Sequence, residues 1–280
     1  MTESPNIDPK TVEGFGEEWH AFTQEELDPA EHRRAFEEYF SIFPFDELPP
    51  DAEGFDLGCG TGRWALFVAE RVGCLHCIDP AAKALEVAKR RLAGRSNVRC
   101  HLGGVDDLPL DDASQDFGYA LGVLHHIPDT EAAMAKCVRK LKAGAPFLAY
   151  IYYAFDNRPA WFRLLWSVTD VGRRSISRLP FALRKQLTTL IAATVYYPLA
   201  RLAAGMERGG FDVGNFPLSF YRDRSFYSMR TDALDRFGTR LEQRFTRSEI
   251  EQMMRRCGLV DVRFREAPPY WVACGRKAAD

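Results

Sequence analysis

Three glycines at alternate positions, in Phe55-Asp56-Leu57-Gly58-Cys59-Gly60-Thr61-Gly62-Arg63-Trp64, constrain this chain more than any other stretch. An apolar run precedes them and an apolar helical pattern follows. A strand ending in such a loop can bring its backbone close to a ligand, because no Cβ intervenes. The next helix then turns its unpaired N–H groups toward the same point. The Gly-x-Gly-x-x-Gly fingerprint of nicotinamide dinucleotide folds needs a third glycine at the sixth position. Arg63 occupies that position, so the fingerprint fails. The acidic Asp56 at the strand end is also foreign to it.

From the loop onward the pattern alternates. Strands are expected over 54–57, 74–78, 98–102, 117–121 and 147–152. Helices are expected over 63–71, 81–92 and 130–141, the second stopped by Gly94. Such alternation implies a parallel sheet with helices on both faces and right-handed crossovers. Thr246-Arg247-Ser248-Glu249 reads as a capping box for a last helix ending near Gly258. Two closing strands over 260–265 and 270–275 would form an antiparallel hairpin on the sheet edge. Ahead of the loop, residues near 29–40 have helical periodicity until Pro44, Pro49 and Pro50 break it.

Five features in order carry chemistry. The first is the glycine loop. The second is Ile78-Asp79-Pro80, an acidic residue closing the second strand, able to accept from two vicinal hydroxyls at once. The third is Gly103-Gly104-Val105-Asp106-Asp107-Leu108-Pro109-Leu110 after the third strand. The fourth runs from Asp116 to Asp129, through the fourth strand and the pair His125-His126. The fifth is Leu141-Lys142-Ala143-Gly144-Ala145 before the fifth. This succession resembles the class I, Rossmann-like S-adenosylmethionine-dependent methyltransferases over about residues 54–152, and the tail 246–276 is similar to that family's closing helix and hairpin.

The resemblance implies an α/β fold with a mostly parallel seven-stranded sheet and S-adenosylmethionine as cofactor. The expected cofactor-binding residues are Asp56, Gly58, Gly60, Thr61, Gly62, Arg63, Trp64, Asp79, Pro80, Gly104, Val105, Asp106, Leu121 and His126. Asp79 would hold the ribose, and Asp56 the methionine ammonium, directly or through water. Relatives commonly carry Asp or Ser where this chain has Gly104, so the adenine contact would pass to Asp106 or to the backbone. Methyl transfer asks mainly for in-line positioning, and a base only where the acceptor must lose a proton. Candidates for that base are His125, His126, Tyr153 and Asp235. Phe15 and Trp19 are candidates to cover the cofactor mouth.

Domain organisation follows: a cap over 1–50, the cofactor-binding core over 51–153, a helical insertion over 154–240, and a segment over 241–280 completing the core. The insertion is too long for a βα connection. Between residues 156 and 208 it holds nine Arg and Lys against three Asp and Glu, a local charge of +6 in a chain totalling -2. Three readings stay open: a basic lid for an anionic acceptor, basic amphipathic helices on an anionic membrane, or an ordinary helical subdomain or homodimer interface. The activity expected is O-, N- or C-methylation of a small or medium-sized metabolite. Alternatives are a peripheral-membrane methyltransferase of a lipid or quinone precursor and a non-catalytic S-adenosylmethionine-binding protein.

The net charge of -2 suggests no nucleic-acid partner. The polar N-terminus and seven scattered cysteines are those expected of a cytoplasmic protein. Cys74 and Cys77, three apart on a strand, should face opposite sides, so no metal is expected there.

Overall fold

The computed structural model describes residues 5–279. The chain divides into two compact units: Met1–Gln24, Ala35–Ala154 and Leu241–Asp280 form one, Glu25–Arg34 and Phe155–Arg240 the other.

The first unit is built on seven strands: β1 (Glu53–Leu57), β2 (Cys74–Asp79), β3 (Val98–Leu102), β4 (Phe117–Leu121), β5 (Pro146–Tyr150), β6 (Leu259–Phe264) and β7 (Val272–Lys277). Their order is β3-β2-β1-β4-β5-β7-β6. The first five pair parallel, whereas β7 runs antiparallel to both β5 and β6. The closing hairpin therefore does sit at the edge, with β7 inserted against β5 and β6 outermost. Its strands begin one and two residues away from the expected positions.

Alternation of side chains divides the core between the two faces of the sheet. Phe55, Leu57, Ile78 and Phe147 pack on one face with Met134 and Val138 of α5 (Thr130–Lys140) and with Ile250 and Met254 of α10 (Arg247–Arg256). Leu75, Cys77, Phe117 and Tyr119 pack on the other with Leu85 and Ala88 of α4 (Ala82–Arg91). The capping box of α10 is present: the Thr246 hydroxyl accepts from the Glu249 N–H, and Glu249 accepts from the Thr246 N–H.

Three expectations need correction. The helix after β1 is only α3 (Ala65–Val68). Residues 59–64 are turns set by the loop glycines, and Gly73 and Cys74 are drawn back so that both N–H groups donate to the Ala52 carbonyl. The fifth strand ends at Tyr150 rather than 152. The chain leaves the sheet there, and Tyr153 bridges to Phe245 instead. A helix not anticipated, α1 (Pro9–Ala21), opens the described chain, and the helix expected near 29–40 is α2 (Pro29–Tyr39). Asp8 caps it by accepting from the Thr11 N–H, and Pro9 starts it with a residue whose missing N–H costs nothing there.

The second unit contains α6 (Ala160–Ile176), α7 (Phe181–Ile191), α8 (Tyr197–Arg208) and α9 (Phe226–Gly238), with a π-helical turn over Ala192–Tyr196 joining α7 to α8. Its small core is Ala192, Tyr196, Ala200, Met229 and Ala233. Arginines, two of them buried, hold the helices together. Arg173 pairs with Asp170 at 2.5 Å and donates to the Thr239 carbonyl at 2.9 Å. Arg184 donates to the Gly238 carbonyl at 3.2 Å, and Arg201 to the carbonyls of Arg222 and Arg224 at 2.8 Å each. Arg158 donates to the Gly214 carbonyl. Four of the insertion's arginines thus donate to backbone carbonyls at chain turns, and they keep their charge.

Candidate active site

Strand order reverses between β1 and β4, and in an open parallel sheet the diverging loops leave a crevice beyond the carboxyl ends of the strands. The loops after β1, β2, β3 and β4 all reach this edge. Gly58 stands at φ 71°, and a Cβ there would lie 2.4 Å from a Val123 methyl group. Gly60, at φ 54°, donates its N–H to Asp79 Oδ2 at 2.8 Å. The Ala81 N–H donates to Asp79 Oδ1, also at 2.8 Å. Asp79 thereby ties the end of β2 to the glycine loop, and each of its oxygens keeps a second lone pair. Burial pushes this carboxyl up to about 6, against the two N–H donors that draw it down.

Asp56 lies opposite Cys77 on β2 and Tyr119 on β4. Burial pushes its carboxyl up to about 8. The Tyr119 hydroxyl and Arg63 draw it back, and the charge of Asp79 adds to the rise. Its Oδ2 has no hydrogen-bond partner among the described residues. A buried carboxylate oxygen lacking a donor is costly, and an ammonium group arriving at the crevice would remove that cost. The orphaned oxygen, the positive-φ glycines and Asp79 fit the cofactor that the sequence implies.

In the third loop, a Cβ on Gly104 would meet only Ile7 and Pro80, at 3.9 Å. The fold therefore leaves room for the side chain that this chain lacks, and Pro80 flanks the gap. Val105 turns into the core. Asp106 accepts from two donors of the protein itself. Lys136 donates to its Oδ1 at 2.6 Å and the Asn6 N–H to its Oδ2 at 2.7 Å. Burial raises this carboxyl, but the two donors outweigh it and hold it below its ordinary value. Asp106 clasps the N-terminal segment to α5.

Two further residues of the loop have partners within the protein. Trp64 is buried in the core with Tyr39 and Phe40, because the short α3 turns it inward. The Thr61 hydroxyl and carbonyl accept from Arg91 of α4 at 3.1 Å each, so this residue anchors the loop. Gly62, at φ 71°, completes the turn. Arg63 stays at the mouth, its guanidinium 4.4 Å from the Trp64 ring centroid and 5.7 Å from that of Trp19. The Trp19 indole lies 3.4 Å from where a Gly60 Cβ would be. Phe15 meets the His126 ring at 4.9 Å. Helix α1 thus lays both aromatics over the loops.

Beyond Leu121, which closes β4 almost buried, the two histidines differ sharply. His125 is wholly buried. Desolvation, with His126 and Arg244 adding to it, holds its imidazole well below the ordinary value, so it stays neutral. Its Nδ1 accepts from the Tyr152 N–H at 3.4 Å. The Nδ1 of His126 lies 2.6 Å from the Leu241 carbonyl. A carbonyl only accepts, so Nδ1 carries a proton, and in the neutral ring Nε2 holds the lone pair. Tyr153 turns elsewhere, its ring against Tyr270 and Trp271. Asp235 lies on α9 in the helical unit and accepts from the Thr239 hydroxyl at 3.3 Å.

Sequence reasoning missed the strand of chain that positions the histidines. Tyr152 stacks on His125 at 3.9 Å, and Arg244 lies 5.1 Å from the Tyr152 ring. The Gln243 N–H donates to the His125 carbonyl at 3.0 Å, and its side-chain amide to the Ile127 carbonyl at 2.8 Å. No local pattern marks 241–245, since the partners that place it at the site lie far away in the chain.

At the opposite end of β1 and β2, Glu53, Cys74 and His76 bring three ligand atoms within 4.8 Å of one another. His76 Nε2 lies 2.6 Å from Glu53, and its Nδ1 lies 2.9 Å from His101 Nε2. Both imidazole nitrogens are already engaged, so an ion would have to displace a hydrogen bond. Cys77 faces the other side of the sheet, as its spacing from Cys74 predicts.

Residues 55–149 match the model of a family described as a methyltransferase domain. Phosphoethanolamine N-methyltransferase 2 of Caenorhabditis elegans is 31% identical over 111 residues, 39% of this chain and 25% of that protein. Demethylmenaquinone methyltransferase of Staphylococcus aureus is 33% identical over 95 residues, 33% of this chain and 39% of that protein. The chain thus spans well under half the length of either relative. Among solved structures, the apo form of the S-adenosylmethionine-dependent methyltransferase SibL superposes with a TM-score of 0.53 at 14% identity, covering 89% of this chain and 56% of that one. Over residues 55–149 the matched methyltransferase domain, the sheet order and the ordered motifs agree.

Proposed function

We propose that this chain transfers the methyl group of S-adenosylmethionine to an oxygen, nitrogen or carbon of a small or medium-sized metabolite. The observation that carries the reading is the pair of buried carboxyls around the glycine loop: Asp79 with two lone pairs left over, and Asp56 with an oxygen lacking a donor. Asp79 would hold the ribose hydroxyls, Asp56 the amino end, and the backbone at 104–106 the adenine. When bound, the cofactor supplies a sulfonium whose methyl group is already electrophilic. The protein's own residues position the acceptor, exclude water and accept a proton where one must leave. His126 suits that last role, because its Leu241 hydrogen bond fixes the tautomer with a lone pair on Nε2. His125, buried and neutral, sets the floor beneath it.

Two relatives that match the same core are named for different acceptors, a phosphoethanolamine and a demethylmenaquinone. Acceptor choice therefore belongs to segments outside 55–149, of which the helical insertion is the longest here. Calorimetric titration with S-adenosylmethionine, and separately with NAD, tests the reading. Binding of the first alone supports it and justifies an acceptor screen with labelled methyl donor. Binding of neither overturns it. Binding without turnover on any acceptor would favour the non-catalytic alternative.

A further inference from the structure

Two helices of the insertion are inverted relative to a helix of an ordinary soluble protein, whose apolar stripe faces the core. On α6 the buried positions are Asp170 and Arg173, an ion pair. The outward positions are Trp161, Leu164, Leu165, Val168 and Val171, at 50%, 67%, 45%, 63% and 69% exposure. They fall at intervals of three and four, one continuous stripe along the helix. On α7 the buried positions are Arg184 and Thr188, and the outward ones are Leu183, Leu187 and Leu190. Val195 and Leu202 extend the apolar exposure through the π-turn and α8. Polar groups inside and large apolar groups outside is the arrangement of a surface meant to leave water.

Charge selects what it meets. Residues 156–208 carry +6, so the remaining chain carries -2 minus +6, or -8. Arg163, Arg174, Arg178 and Arg208 are exposed around the apolar stripes. A second copy would oppose +6 with +6, whereas an anionic lipid surface complements both the charge and the apolar face. The helices do not suit a transmembrane path. Ala192, Tyr196, Ala200 and Ala203 are buried, the first three packing on α9, and Arg184 is held inside by the Ser177 and Gly238 carbonyls.

We infer that α6 and α7 lie in the headgroup region of an anionic bilayer, with Leu164, Val168, Leu187 and Leu190 inserted. This deepens the proposed function by making a membrane-borne acceptor the class to screen first. The docking itself needs no turnover, so its failure and that of the methyl-transfer reading are separable.

The test is flotation of the full chain with phosphatidylcholine vesicles, with and without phosphatidylglycerol, beside sedimentation in solution. Binding is expected with phosphatidylglycerol only, weakening as salt rises. Leu164→Asp/Val168→Asp should lower that partition roughly a hundredfold while leaving circular dichroism and S-adenosylmethionine affinity unchanged. Leu187→Ser/Leu190→Ser provides a second, milder variant on α7. No flotation with either vesicle overturns the inference. So does flotation that survives both variants, or a solution dimer that these variants dissociate in a chain that does not float.

Discussion

Asp56 carries an opposition between stability and binding in one carboxyl group. Its native value of about 8 lies above the ordinary 3.8, so between those values the native state keeps a proton that the unfolded chain has lost. The stabilisation is full below the ordinary value and is lost as pH rises through about 8. Asp79, raised to about 6, adds a slope of the same sign over a lower window. Each unit of displacement corresponds to about 1.4 kcal/mol. Asp56→Asn, which resembles the protonated form, should therefore flatten the fall of Tm across that window and raise stability at its alkaline end. The same change should weaken S-adenosylmethionine binding. A wild-type slope retained in the variant would remove Asp56 as its source. Asp79→Ala should lower cofactor affinity by about 2–3 kcal/mol, because it strips the Gly60 and Ala81 N–H groups of their acceptor as well as the ribose; unchanged affinity by calorimetry would dismiss that assignment. For an acceptor that loses a proton, His126→Gln should reduce kcat by about 100-fold or more with KM little changed, whereas a mere packing role would move stability instead.

At the scale of elements, the glycine loop and α10 make contrasting cases. Gly58→Ala places a methyl group 2.4 Å from Val123 at a φ of 71°. A loss of about 1–3 kcal/mol is expected, together with most cofactor affinity. Adding Val123→Ala makes space but leaves the dihedral, so it should restore only part of the stability. Thr246→Ala removes the hydroxyl half of the capping box, leaving the backbone N–H bond to Glu249, and should cost about 1 kcal/mol by thermal unfolding. Cofactor affinity should not change with it. Both features are legible in the sequence, since each is encoded within four residues. α1 is encoded as locally, by the Asp8 cap and Pro9, although no apolar run stands behind that cap. The length of α3 was not legible. Ala65-Leu66-Phe67-Val68-Ala69 would continue a helix in isolation, but the chain must return to begin β2 beside β1.

For the whole molecule, ligand binding should be felt unevenly. At a concentration about 100 times Kd, S-adenosylhomocysteine should stabilise the unit it binds by about 2.7 kcal/mol. Hydrogen exchange is expected to slow in peptides covering 55–62, 79–81 and 121–126. Slowing confined to 160–208 would place the ligand elsewhere. The sequence by itself determined the alternation of strand and helix, the glycine loop, the acidic ends of β1 and β2 and the closing hairpin, because periodicity, caps and turn residues act over a few positions. It also disclosed that the insertion is basic. Only the tertiary structure decided what those charges do. Arg173, Arg184 and Arg201 are spent on carbonyls of distant turns, while leucines of the same helices face outward. The tertiary structure likewise sent Trp64 into the core, bound Asp106 to Lys136 and Asn6, and set Tyr152 rather than Tyr153 beside the histidines. In each instance the partner lies far away in the chain, and a side chain's direction is fixed by which partner satisfies its hydrogen bonds or excludes its water.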